Sequence, residues 1–164
     1  APLKATELLQ LMKEDPESAP DSKAYNTVLT AWAKSHRDDA MEQSFALLDE
    51  MLSLSKNEHP AAADTDTTTT TTTAAGAGRG VKVVTPTEYT YQTLVNACVM
   101  RGELKRGEDV LNEMDRANII PDAQTYFILM KGWKESNDPN AEAKIEEILM
   151  RMVQTQDGNN EYLH

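Results

Sequence analysis

The sequence predicts an all-α protein, a right-handed superhelix (α-solenoid) of stacked helix-turn-helix repeats. Three observations carry this expectation. A Pro is followed five residues later by a Tyr at three places, Pro20 to Tyr25, Pro86 to Tyr91 and Pro121 to Tyr126. Six residues beyond each Tyr the side chain is small (Ala31, Ala97, Gly132), and the next position holds Trp32, Cys98 or Trp133. A Met then closes each stretch, 26, 23 and 26 residues beyond its Tyr, at Met51, Met114 and Met152. Recurrence at such intervals is the mark of a repeat array, in which each unit is one supersecondary element.

The elements follow in order. Residues 1–21 contain LKATELLQLMKED, which has helical apolar spacing and reads as the second helix of a unit whose first helix lies outside the sequence. Residues 22–56 form the next unit, with its turn at Ser35 to Asp39. In the unit 88–122, Tyr91, Leu94, Val95 and Cys98 share one helix face, Gly102 breaks the pattern, and Leu104, Val110, Leu111 and Met114 resume it. The unit 123–157 turns at Ser136 to Asn140, where Asp138 is placed to cap and Pro139 to open the second helix. Residues 158–164 are a tail. Seven helices result. The interval from Tyr25 to Tyr91 is 66 residues against 35 from Tyr91 to Tyr126, and most of the excess falls in residues 57–87. That stretch, rich in Thr, Ala and Gly and without apolar periodicity, is expected to be a disordered insertion.

Composition narrows the function. The 164 residues carry a formal charge of -11, which repels nucleic acid unless positive charge is gathered on one surface. Cys98 is the one cysteine, so no internal disulfide can form, and its place in the repeat marks it as a small buried hydrophobe. His36, His59 and His164 have no Cys or carboxylate at metal-ligand spacing. GAGRG, from Gly76, follows polythreonine instead of a strand and lacks the Lys-Ser/Thr ending of a phosphate loop. The expectation is a non-enzyme without cofactor, metal, membrane span or small-molecule substrate.

The stretch from Glu88 to Asp122, EYTYQTLVNACVMRGELKRGEDVLNEMDRANIIPD, closely resembles a pentatricopeptide repeat. It has that family's 35 residues, the early Tyr91, the Leu-Val of the first helix, the Gly102 turn, Glu113-Met114 and the closing Pro121-Asp122. SKAYNTVLTAWAKS, from Ser22, and AQTYFILMKGWKES, from Ala123, are similar to the same opening. The resemblance implies single-stranded RNA as partner, with one base per repeat, and location in a mitochondrion or plastid. It implies that the fifth and last residues of a repeat choose the base: Asn26 with Thr87, Gln92 with Asp122, and Phe127 without an assigned partner. Asn26 then inclines its unit to a pyrimidine, and Phe127 stacks on any base. The second residues, Lys23, Tyr89 and Gln124, are implied to pack against the bases.

Charge divides as this implies. The first helices hold Lys23, Lys34, Arg101, Lys131 and Lys134 against Glu88 and Glu135, whereas the second helices of the three full units carry an excess of acid. RNA contact is therefore expected on the first helices. A protein-interaction α-solenoid within a larger assembly is the alternative, with acidic second helices as the docking surface. Because the insertion lies between two hairpins, it lengthens a connection without separating what must stack, at an entropic cost under about 2 kcal/mol. Replacing the tract from about His59 to Gly80 with the short connection of the second unit is expected to leave the melting temperature unchanged or raised, and a calorimetric scan showing a fall of many degrees would refute this.

Overall fold

The computed structural model describes residues 2–15, 17–57 and 84–160. Seven helices follow one another: α1 (Pro2–Glu14), α2 (Ser22–Ala33), α3 (Ala40–Asn57), α4 (Glu88–Met100), α5 (Leu104–Arg116), α6 (Ala123–Glu135) and α7 (Ala141–Asn160), with no strand among the described residues. α2 pairs with α3, α4 with α5 and α6 with α7. The hairpins stack through α2, α4 and α6, while α3 also meets α4, α5 meets α6, and α1 lies on α2. The architecture is a helical-hairpin solenoid.

The recurring Pro and Tyr are explained at the helix starts. Pro20, Pro86 and Pro121 are all buried, each one residue before an N-cap, and Tyr25, Tyr91 and Tyr126 occupy the fourth helical position at 0–1% exposure. Those are the two positions of a hydrophobic staple, which fixes the angle at which the chain enters a helix. Asp21 accepts the Ala24 N–H at 2.8 Å, and Asp122 accepts the Thr125 N–H at 2.7 Å and its hydroxyl at 2.6 Å. Between them Thr87 opens α4, its own N–H taken by Thr90 Oγ1 at 2.9 Å. Each cap satisfies donors that a helix start leaves without partners.

Helix ends obey the matching rule. Gly102, at φ 74°, lets the Glu103 N–H reach back to the Cys98 carbonyl at 2.9 Å, and Asn118, at φ 54°, does the same for Ile119 and Met114 at 2.9 Å. Glycine and asparagine adopt this left-handed conformation most readily. Asp138 accepts the Asn140 N–H at 2.8 Å within the turn, and the regular helix begins only at Ala141, two residues later than a cap at Asp138 and an opening Pro139 would place it. α7 continues to Asn160, beyond the unit boundary at 157 that the spacing suggested.

Most of the stretch expected to be a disordered insertion, residues 58–83, lies outside the described residues. Its last four residues do not fit the expectation. Val84 and Pro86 are buried, the Thr85 N–H donates to Ser22 Oγ at 2.9 Å, and Thr87 is the α4 N-cap. The packed chain thus resumes ahead of residue 88, because the connection into α4 must seal the apolar seam beside α2.

The inner seam is tight. A Cβ on Gly132 would lie 2.7 Å from Leu104 Cδ2 and 2.8 Å from Val99 Cγ1, and one on Gly107 would lie 2.9 Å from Leu129 Cδ1. Close approach of α6 to the α4–α5 hairpin therefore depends on two positions without side chains. Cys98 fills the place taken by Trp32 and Trp133 in the other units and is fully buried, which pushes its thiol up to about 12. Trp32 Nε1 donates to Thr6 Oγ1 at 2.8 Å, whereas buried Trp133 Nε1 has no partner. Gly107 stands where Thr6 does one hairpin pair earlier, so the hydroxyl that would serve Trp133 is missing.

The second helices do not approach one another backbone to backbone. Long side chains bridge them instead. Lys13 on α1 meets Glu50 on α3 at 2.6 Å, and Arg106 on α5 lies 4.9 Å above the Phe45 ring of α3. Lys144 on α7 meets Glu108 on α5 at 3.1 Å, and Arg151 binds Asp115 and, at 2.9 Å, Asn112. Gly132→Val is expected to lower stability by about 1–3 kcal/mol through overpacking of the inner seam. Urea denaturation read by circular dichroism measures it; an unchanged midpoint would mean that α6 does not depend on this approach.

Candidate nucleic-acid interface

α2, α4 and α6 present their free faces on one side, and two connected clefts run along it. The first, between α2 and α4, is lined by Lys23, Asn26, Thr27, Thr30, Thr87 and Tyr89 among others. The second crosses from α2 over α4 to α6 and is lined by Thr30, Lys34, Tyr89, Gln92, Met100 and Gln124 among others. Tyr89 and Thr30 belong to both, with Tyr89 Oη 3.5 Å from Thr30 Oγ1. The Tyr89 ring, 54% exposed, thus stands between the clefts as a platform.

Polar groups recur at repeat intervals along this face. Asn26 and Thr87 line the same cleft, and buried Thr90 joins them: it takes the Thr87 N–H and its Oγ1 lies 2.6 Å from Asn26 Oδ1. One repeat on, Gln92 Nε2 donates to Asp122 Oδ2 at 3.4 Å, while Asp122 Oδ1 caps α6. Asn26 and Gln92 are therefore each brought beside the start of the following first helix, whose cap is the last residue of their own unit. Phe127, at the equivalent place on α6, is 57% exposed.

The cations distribute unevenly. Lys23 and Lys34 line the clefts. Lys131 and Lys134 are exposed on α6 at places matching Thr30 and Ala33, which line the second cleft, and Lys131 has Glu135 at 4.0 Å. Arg101 has a different neighbourhood. Its guanidinium donates to the carbonyls of Ser35 at 2.5 Å and Arg37 at 3.2 Å, tying the end of α4 to the α2–α3 turn. Sequence reading placed Arg101 among the RNA contacts by its charge alone, and the bonds that hold it span units 66 and 64 residues apart in the chain.

Thr90 escaped notice in the sequence. The available signal was a Thr immediately before Tyr91 and again, as Thr125, before Tyr126. Both are fully buried and both bond to the cap. Met100, 71% exposed at the end of the second cleft, was also passed over, since a lone exposed Met has no distinctive spacing.

Among the described residues no three His, Cys, Asp or Glu side chains gather as a metal site would require. Comparison of the chain with family models finds the PPR repeat family at residues 86–134. No curated protein matches the chain. PPR proteins are generally RNA-binding and non-catalytic. The matched stretch begins at the Pro before α4 and runs to the last turn of α6, so α4 to α6 are similar to PPR repeats, and the flanking hairpins are built on the same plan.

Proposed function

We propose that the face of α2, α4 and α6 binds single-stranded RNA, and that the protein acts on organellar transcripts, in their processing, stability or translation. One observation supports this most: Asn26 and Gln92 each hydrogen-bond to the start of the next first helix, at Thr90 and Asp122, along a groove that also exposes Tyr89 and Phe127. Amides read base edges, aromatic faces stack on bases, and the lysines beside them meet phosphates. Siting in a mitochondrion or plastid draws support from the family resemblance.

The acidic second helices lend less support to a docking surface for basic proteins than their charge suggests. Glu50, Glu108 and Asp115 are engaged with cations of the neighbouring unit, and Glu103 and Glu113 with Arg106 and Arg116 of their own helix. Five of those acids are thus paired with cations of the solenoid itself.

Reversing Lys34, Lys131 and Lys134 to Glu is expected to weaken binding to single-stranded RNA and to flatten the slope of log affinity against log salt by about 2, at roughly 0.7 per lost phosphate contact. Reversing Lys4, Lys56 and Lys105, exposed on α1, α3 and α5, changes net charge equally and is expected to alter the slope much less. Equal losses would move the site off this face. No RNA affinity at low salt in the unaltered protein would favour the protein-interaction scaffold.

A further inference from the structure

The start of α5 lacks what the starts of the first helices have. Asp21 caps α2, Asp122 caps α6, and Thr87 with Thr90 forms a capping box on α4. At α5 the N-cap is Glu103, which makes no cap bond, because Arg106 holds its carboxylate at 2.7 Å and is itself stacked over Phe45. Among the described residues nothing accepts the N–H groups of Leu104, Lys105 and Arg106. A cleft of about 470 Å³ opens over this turn, lined by residues 102–106, Trp133, Ser136 and Asp138.

The inner wall carries a second donor without an acceptor. Trp133 is 3% exposed, and its Nε1 has no partner. In the first unit Trp32 spends the same N–H on Thr6 Oγ1 of α1, at 2.8 Å. Trp133 stands to α5 as Trp32 stands to α1, with Gly107 in place of Thr6, so its indole faces the first turn of α5 and meets no hydroxyl there. An indole N–H can only donate, and so can the N–H groups of a helix start. What satisfies both is an acceptor, and the positive end of the helix dipole favours a negatively charged one. Because the indole nitrogen is buried, that acceptor must enter the full depth of the cleft.

Charge narrows the choice. Lys105 and Arg106 are balanced by Glu103 and Asp138 in the lining, which leaves no surplus of cations for a dianion such as phosphate. A carboxylate brings a single charge, and carboxylates already cap α2 and α6. We infer that this cleft binds a carboxylate, held by the first-turn N–H groups of α5 and the Trp133 indole, with Lys105 at its mouth. The site shares no lining residue with the clefts of the first-helix face and does not depend on RNA binding there.

The test is titration of the 15N-labelled full chain with sodium acetate, beside sodium chloride and inorganic phosphate at matched ionic strength. The chain has two tryptophans, so one indole signal reports the site and the other serves as control. The Trp133 signal is expected to move downfield and saturate with acetate, while that of Trp32, held by Thr6, stays in place. Lys105→Gln is expected to weaken acetate binding by about threefold. Trp133→Phe, followed through the backbone signals of residues 104–106, is expected to weaken it by about tenfold, the worth of a hydrogen bond to a charged acceptor. A Trp133 signal that stays still, or that moves together with Trp32 in any salt, overturns the inference, as does unchanged affinity in either variant while the Trp32 signal remains native. Tighter binding of phosphate than of acetate overturns the choice of carboxylate. The peptide acetyl-Gly-Asp-Gly-amide, beside its Asn counterpart, identifies the source: a response to the Asp peptide assigns the site to an acidic side chain of a protein, and a response to acetate alone assigns it to a small free acid.

Discussion

Everything in this fold depends on the inability of one helical hairpin to cover its own apolar side. Tyr91, Leu94, Val95 and Cys98 are fully buried, yet α5 alone cannot shield them; α2, α3 and α6 complete the enclosure. Stability is thereby shared between neighbours, as in any quasi-one-dimensional repeat. The sharing is closest on the inner side, where Gly107 and Gly132 let α6 settle against α4 and α5. Helices brought near on one side must part on the other. The second helices do part, and what connects them is charge.

Two layers of different character result. The inner layer is an apolar seam that salt leaves nearly untouched. The outer one consists of half-exposed pairs such as Lys13–Glu50 and Lys144–Glu108, each worth no more than about 1 kcal/mol and screened by ions. Among the described residues Glu50, Glu108 and Asp115 in this way bind neighbouring units of an acidic chain together. The lysines beside the clefts are left with few acidic neighbours, apart from Glu135 near Lys131.

How far this was legible in the sequence depended on the range of the interaction. Pro, Tyr and Gly at recurring intervals revealed the helix starts, the buried face and the Gly102 turn, because staples and left-handed caps are set within a few residues. Base-facing candidates came from the same register, and the structure sets Asn26 beside Thr87 and Gln92 beside Asp122. Contacts between units left no such trace. Arg101 and Thr90 bond to residues 66 and 64 positions away, across an insertion whose length conceals the register. Arg101 therefore looked like a free cation and Thr90 like filler. Val84 to Thr87 were counted with the low-complexity tract because four residues carry no periodicity, whereas their burial arises from the neighbouring hairpin.

The same distance argument bears on how the groove is held in shape. Asn26 sits on α2, but the hydroxyl that turns its amide sits on α4, and Gln92 on α4 is held by Asp122 at the start of α6. Both side chains are thus held by the next repeat. Arg101 fastens α4 to the α2–α3 turn at the opposite end of the same pair of helices from Thr90. Two attachments near the two ends restrain α2 and α4 from sliding or pivoting against each other. A lateral shift of one ångström would break a 2.6 Å hydrogen bond and release the amide. The stacking that stabilises the solenoid is therefore also what fixes these side chains along the groove, and a repeat removed from its neighbour would lose its fold and that fixed geometry together.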